Sequence, residues 1–372
     1  SETTSPDTAL ALARQRLDAH NASAAVDGLQ RYLAVYPQEL TVKRFLADLY
    51  FRIGALTDAE ATYRDILQGY PYDTQAHRRL GTLDFLAGRT DAAIVEFEAS
   101  LPESIDDLVV AHERKGDVDA FEREMQHRAQ TSPRDASVQY EMGAVYGDLH
   151  LPHDALAYFR RALAIYPSST DILNGTAIAQ MQVHDDAGAE QTFDRCLHYD
   201  GESYACTNDL GSLYLDEKRY PDARRVLLRA HGLAPEAPEA LVNLGYLSDE
   251  LGNRAEAVGY YTEAIYVWPY FSDGYVNLSY DQIRQGSFDQ AESVLHKGLA
   301  VAPADPRMHY LLGIVDEVRG NRPEAVAEFQ RAETSNDPDI VNSARQSVDD
   351  LQKSMPASES APPASRPPSP LR

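Results

Sequence analysis

The chain has 372 residues and a formal net charge of −24 at pH 7, with 58 Asp and Glu residues against 34 Lys and Arg residues. This acidic excess argues against a nucleic-acid backbone or an anionic membrane surface as the main partner. No apolar run is long enough to cross a bilayer as a helix, so we do not expect direct insertion into a membrane.

Residues 6–135 predict four pairs of helices, each pair in a repeat of roughly 34 residues where the spacing is regular. The fourth repeat is degenerate. Pro102 arrives early, and Phe121 and Arg128 stand where other repeats have small residues. We expect a local change in the array at this point, and both a hinge and a rigid but drifted repeat fit the pattern.

Residues 136–339 show the same pattern six times, in blocks that begin at Ala136, Thr170, Tyr204, Pro238, Ser272 and Pro306. Five blocks carry a Leu-Gly-like pair: Met142-Gly143, Leu210-Gly211, Leu244-Gly245, Leu278-Ser279 and Leu312-Gly313. Further along each block comes a bulky residue: Phe159, Phe193, Leu227, Tyr261, Leu295 and Phe329. Each block therefore predicts two amphipathic helices, with small residues allowing a close approach and a bulky residue filling the space between.

The turns and ends of these helices have their own signals. Gly252, Gly286 and Gly320 stand between the two helices of their blocks, where a tight turn is needed. After the last block, apolar residues at one helical spacing predict a capping helix over 340–355. Residues 356–372 are rich in Pro, Ser and Ala, which predicts a disordered tail.

The period and the several matching positions in each block resemble the tetratricopeptide repeat family, over about nine tenths of the chain. The resemblance implies an all-α, right-handed superhelical solenoid of about ten helix-turn-helix repeats, closed by the capping helix. It also implies a non-catalytic scaffold that binds a protein or an extended peptide in a concave groove. The alternative is a regulatory or targeting subunit of a multi-protein enzyme or envelope assembly complex.

In this family the first helix of each repeat faces the groove. Asn243 and Tyr246 share one face of such a helix, and Asn277 and Tyr280 repeat them 34 residues later. Stacked amides of this kind can pair with the donor and the acceptor of a peptide backbone, although two polar residues on a helix surface fit the sequence equally well. The other candidate partner-binding residues are charged residues of first helices: Asp209, Asp249, Arg44, Arg78 and Arg79.

Cys196 stands at a small-residue position of one second helix, and Cys206 lies near the start of the next first helix. Consecutive helices are neighbours in such arrays, so a disulfide is geometrically possible, while two buried free thiols fit as well. A disulfide would indicate an oxidising compartment, and the start at Ser1 rather than Met would then fit a cleaved leader. We expect an extracytoplasmic location in preference to the cytoplasm.

Two predicted turns combine histidine with carboxylates: His150, His153 and Asp154, then His184, Asp185 and Asp186. These residue types suit a transition metal, but turns are usually polar because they are solvated. The sequence contains no glycine-rich phosphate loop, nucleophile elbow or metal-binding helix motif. We therefore expect no catalytic residue, no metal site and no cofactor.

Overall fold

The computed structural model describes residues 5–19, 21–335 and 338–354, and in these ranges it contains 21 α-helices and no β-strand. Contacts divide the chain into two compact units, Ser1–Val226 (unit 1) and Leu227–Arg372 (unit 2). None of the described helices is both long and apolar enough to cross a membrane.

The helices of unit 1 are α1 (Pro6–Asp18), α2 (Ala22–Val35), α3 (Leu40–Arg52), α4 (Leu56–Gly69), α5 (Thr74–Leu86), α6 (Thr90–Glu98), α7 (Ile105–Lys115), α8 (Val118–Thr131), α9 (Ala136–Asp148), α10 (Pro152–Ile165), α11 (Thr170–Gln182), α12 (Asp186–Tyr199) and α13 (Tyr204–Asp216). The boundary between the units falls within α14 (Tyr220–Leu233). Unit 2 continues with α15 (Pro238–Glu250), α16 (Arg254–Val267), α17 (Ser272–Arg284), α18 (Phe288–Val301), α19 (Pro306–Arg319), α20 (Arg322–Ala332) and α21 (Pro338–Ser354).

Consecutive helices pack in pairs, as the repeat pattern predicts, and the contact between small and bulky residues explains why. A Cβ atom at Gly143 would lie 2.6 Å from the ring of Phe159, and one at Gly245 would lie 2.5 Å from the ring of Tyr261. Only a glycine leaves room for the ring to press against the backbone of the first helix. The same motif therefore joins α9 to α10 in unit 1 and α15 to α16 in unit 2.

The turn inside six successive helix pairs, from α9 and α10 to α19 and α20, has a left-handed residue at one fixed position. Gly252, Gly286 and Gly320 have φ values of 78°, 73° and 81°. The matching positions of three earlier repeats hold other residues in the same conformation: His150 (φ 57°), His184 (φ 61°) and Lys218 (φ 57°). Two of the three histidines in the predicted polar turns, His150 and His184, therefore stand at the left-handed turn position of their repeats.

The fourth repeat departs from the pattern in a way the sequence did not show. In α8, Phe121, Met125 and Ala129 are buried, so Ala129 takes the interior place that we assigned to Arg128. The Arg128 guanidinium instead forms an ion pair with the Glu141 carboxylate, with Nη2 and Oε2 3.0 Å apart. Buried residues of α7 and α8 belong to one core cluster that runs from Ala93 to Ala179, so this repeat is packed on both sides.

The array ends in α21, which begins two residues before the predicted start at residue 340. Ala344, Val348 and Leu351 are buried on one of its faces and join a core cluster with Phe329 of α20. The helix covers the apolar side of the last pair, as an open-ended array requires. The predicted tail, residues 356–372, lies outside the described residues.

Candidate protein-binding site

The first helices of successive pairs lie side by side in unit 2, where α15 packs on α17 and α17 on α19. Asn243, Tyr246, Asn277 and Tyr280, called the ladder residues below, lie on the first two of these helices. Asn243 and Asn277 are half-buried, while Tyr246 and Tyr280 are 44% and 49% exposed. The structure thus brings both pairs to neighbouring helices and leaves both phenol rings accessible.

The Asn277 amide forms a hydrogen bond within its own helix. Asn277 donates from Nδ2 to the backbone carbonyl oxygen of Asp273, one turn earlier in the same helix, at 2.9 Å. An amide nitrogen carries two hydrogens, so one remains for a ligand. A peptide bound here would contact the Asn277 amide, whose orientation is fixed by this hydrogen bond within α17.

Two carboxyl groups face each other between the same two helices. Asp281 of α17 is 1% exposed, and its Oδ1 atom is buried without a hydrogen bond from any described N–H or hydroxyl group. The neighbouring carboxyl is that of Asp249 on α15, and burial together with the negative charge of Asp281 raises the pKa of Asp249. Burial and the same two carboxylates also raise the pKa of Tyr261, whose ring packs against Gly245 of α15.

Our sequence prediction included Asp249 and missed Asp281. The signal was present, because every other regular block has an apolar residue at the position of Asp281: Val145, Ala179, Leu213, Leu247 and Val315. All five are buried. Burying a carboxyl group costs free energy unless the group is paired or hydrogen-bonded, so Asp281 is an unfavourable residue for this apolar position.

The remaining candidates belong to unit 1 and have partners within it. Asp209 accepts hydrogen bonds from the side-chain amides of Asn174 (2.8 Å) and Asn208 (3.0 Å). Its carboxylate is therefore held between α11 and its own helix, α13.

The three arginines are likewise bonded to acids of unit 1. Arg44 bonds Asp73, Arg78 bonds Asp107 and Arg79 bonds Asp48, with shortest N–O distances of 2.5, 2.7 and 3.1 Å. Each pair links two successive repeats. A ligand that used these guanidinium groups would have to compete with an internal carboxylate.

Cys196 of α12 and Cys206 of α13 form a disulfide, with Cα atoms 6.5 Å apart. Both side chains are fully buried. No group of three or more His, Cys, Asp or Glu side chains in the described part of the chain is arranged to hold a metal ion.

A protein-family model described as tetratricopeptide repeat matches residues 10–74, 208–270 and 276–339, which together make up just over half of the chain. The chain belongs to the tetratricopeptide repeat family. Members of this family generally act as non-catalytic scaffolds for protein–protein interactions, and the ladder residues of this tetratricopeptide repeat protein lie on helices of the two C-terminal matches.

The chain is similar to one curated protein in sequence and to two solved structures in fold. It is 28% identical over 134 residues to the type IV pilus assembly protein PilF of Pseudomonas aeruginosa, an alignment that covers 36% of this chain and 52% of PilF. The chain thus spans about half the length of this curated relative. A tetratricopeptide repeat protein from Parabacteroides merdae has a TM-score of 0.51 at 16% identity, covering 66% of this chain and 98% of the other. Yeast Tom70 has a TM-score of 0.50 at 12% identity, covering 94% and 96%. At these identities the two structures show a shared fold.

Proposed function

We propose that this protein is a non-catalytic scaffold that binds an extended segment of a partner protein across α15 and α17 of unit 2. The observation that carries the proposal is the pair Tyr246 and Tyr280. Both rings occupy the same position of successive repeats, and each is nearly half exposed. Large exposed aromatic residues on adjacent helices are the side chains that most often anchor a protein partner.

The half-buried amides beside these rings supply the second part of the interaction. Asn243 and Asn277 stand three positions before the tyrosines, on the same helix face. Each amide can donate to and accept from a peptide group, so two of them spaced by one repeat match an extended backbone. The tyrosines add flat contact area with little loss of side-chain entropy.

Site-specific cross-linking tests this proposal. A photoreactive phenylalanine replaces Tyr246 in the full chain, and the protein is irradiated in its native host. We expect a discrete cross-linked partner, with mass spectrometry placing the cross-link in a single segment of it. Tyr72 of unit 1 is 93% exposed and serves as the matched control position. The same products from both positions, or none from position 246, would reject the site.

A second candidate function follows from the similarity to PilF. We infer that the protein could instead serve as a subunit of an envelope assembly complex such as a type IV pilus system. Deleting the gene in the native host and counting surface pili tests this function. A normal number of pili in the deletion strain would reject it, whereas loss of pili that the intact gene restores would support it.

A further inference from the structure

Asp281 requires a compensating positive charge or a proton. An ionised carboxylate in the interior is strongly disfavoured unless it is paired, and the only described donor to this one is the side-chain amide of Gln285, which reaches Oδ2. Arg254 and Arg284 are the nearest positive groups, and both act to lower the pKa of Asp249. Neither forms an ion pair with Asp249 or Asp281 in the part of the chain that the structure describes.

Another carboxylate on a first helix shows how this protein satisfies such a group internally. Asp48 of α3 accepts hydrogen bonds from the Tyr63 hydroxyl, the Gln75 amide and the Arg79 guanidinium, at 2.5, 2.9 and 3.1 Å. Its two oxygens have donors from the two following helices. The pair in unit 2 has no such set of donors, because in the described part of the chain only the Gln285 amide bonds Asp281 and no guanidinium group does.

Two exposed tyrosines lie on the same helices as the acid pair. Tyr246 lies one turn before Asp249 on the same face of α15. Tyr280 is the residue before Asp281 in α17, so these two side chains leave the helix about 100° apart. The Arg284 guanidinium carbon already lies 5.8 Å from the centre of the Tyr280 ring. Exposed tyrosine faces next to a carboxylate are a favourable environment for an organic cation.

We propose that Asp249 and Asp281, together with Tyr246 and Tyr280, bind the cationic side chain of a lysine or arginine in the partner segment. This inference rests on the proposed function and deepens it by specifying the charge of one partner side chain. In the free protein the raised pKa of Asp249 favours a proton on that carboxyl group beside Asp281. The arriving cation takes the place of that proton, which leaves to the solvent. The acidic net charge of the chain adds long-range attraction for such a partner.

The test follows the titration of the two carboxyl groups directly, in the full chain labelled with carboxyl-¹³C aspartate. The probes are N-acetyl-lysine methylamide and its uncharged analogue N-acetyl-norleucine methylamide, at equal ionic strength set with sodium chloride. The titratable and charged groups around the pair are Arg254, Tyr261, Arg284, Tyr246 and Tyr280. Because a cation favours the ionised pair, we expect lysine to lower its apparent pKa by roughly one unit, and norleucine to leave it unchanged.

Two variants separate binding from structure. Asp281→Leu restores the apolar residue that neighbouring repeats use, so the fold is kept, and the lysine-induced shift should disappear. Glu250→Gln removes an exposed charge from the next residue of α15 and should keep the shift. The same apparent pKa with lysine, norleucine and salt alone would show that no cation binds at the acid pair and would overturn the proposal.

The two experiments distinguish failure of the cation site from failure of the proposed scaffold function. A partner cross-linked at position 246, with no effect of lysine on the titration, rejects the cation site and leaves the scaffold function standing. A lysine effect without any cross-link at position 246 rejects the scaffold function at this surface.

Discussion

His309 of α19 bonds Glu328 of α20, with Nδ1 and Oε2 2.6 Å apart, while its Nε2 atom lies 2.9 Å from the carbonyl oxygen of Pro303. Both partners are acceptors. A neutral imidazole can donate only one of these hydrogen bonds, whereas the protonated ring donates both. The arrangement therefore favours the charged histidine, and the Glu328 hydrogen bond raises the pKa of His309 against the opposing effect of burial.

Unit 1 contains the same arrangement, in which His77 contacts Glu96 and the carbonyl oxygen of Pro71. Burial has the largest single effect and lowers the pKa of His77, but the two hydrogen bonds and the negative charges of Glu96 and Asp73 together raise it more, so the net direction is upward. A raised pKa in the folded state stabilises the protein fully below the unfolded pKa of about 6.5. That contribution is lost as the pH rises through the folded pKa.

We therefore predict that replacing His309 by Gln flattens the fall in stability between about pH 6 and about pH 8.5. The same holds for His77→Gln. Urea unfolding midpoints at the two pH values, compared with wild type, measure the effect. His198 is exposed, and His198→Gln serves as the control that keeps the wild-type pH dependence. Identical pH dependence in wild type and His309→Gln would show that the ring is not charged in the folded protein.

Two substitutions at the left-handed turn position should change the stability of the protein in opposite directions. Lys218 has φ 57°, a conformation that costs an L-residue about 1 kcal/mol or more, so Lys218→Gly should stabilise the protein by roughly 0.5–1 kcal/mol. Gly252→Ala should destabilise it by a similar amount, since no atom lies within 4 Å of the added Cβ and only backbone strain acts. Denaturant midpoints measure both. Two shifts in the same direction would contradict the argument.

We expect the irregular region between α6 and α8 to be locally less stable than the regular repeats. α6 has only nine residues, and the α8 register is shifted to Ala129. In a linear array, stability is a sum of repeat and neighbour terms, so the weakest repeat is where the array opens first. We expect faster amide hydrogen exchange across residues 100–135 than across residues 204–335. Equal protection would mean a rigid repeat that has only drifted in sequence.

The disulfide predicts a stability difference between the oxidised and reduced protein. Cys196 and Cys206 close a loop over a separation of ten residues, for which the loss of unfolded-state entropy is worth about 3 kcal/mol. Replacing both by Ala should lower the free energy of unfolding by roughly that amount. Non-reducing mass spectrometry of protein from its native host determines the bonding. Two freely alkylated thiols would indicate a reducing compartment.

The amide ladder predicts a graded loss of affinity for the cross-linked partner segment. Asn243→Ala should cost on the order of 1 kcal/mol of binding free energy, because a peptide group loses its hydrogen bond. Asn277→Ala should cost a similar amount, because Asn277 keeps a second amide hydrogen for the ligand beside the one that bonds Asp273. Tyr246→Ala and Tyr280→Ala should cost at least as much as Asn243→Ala. Calorimetry measures affinity and circular dichroism checks folding. Unchanged affinity in the variant that carries both Asn243→Ala and Asn277→Ala would show that the partner binds elsewhere.

The period of the sequence was sufficient to predict the helix pairs, because the contact of Gly245 with Tyr261 depends on residues within a single repeat. The register of α8 was not predictable in the same way. Arg128 and Ala129 are neighbours, and only the packing of adjacent repeats decides which of them turns inward. A wrong assignment of one residue on a helix rotates a side chain by about 100°.

The candidate site was harder to predict than the fold. Sequence position placed Arg44, Arg78 and Arg79 on first helices, but the carboxylates that occupy them come from other repeats. Such ion pairs depend on which helices are neighbours and on how far each side chain reaches. Asp281, by contrast, could have been found from the sequence by comparing one column of the repeat, where it is the only carboxylate among six residues.

The Cys196–Cys206 bond joins the second helix of one repeat to the first helix of the next. If the oxidised chain were pulled from its two ends, the repeats on either side could extend, but the segment between the cysteines could not. Because the disulfide closes a loop over a separation of ten residues, the fully stretched chain would be roughly 30 Å shorter than without the bond. Under tension, this boundary between repeats would therefore hold while others are drawn apart.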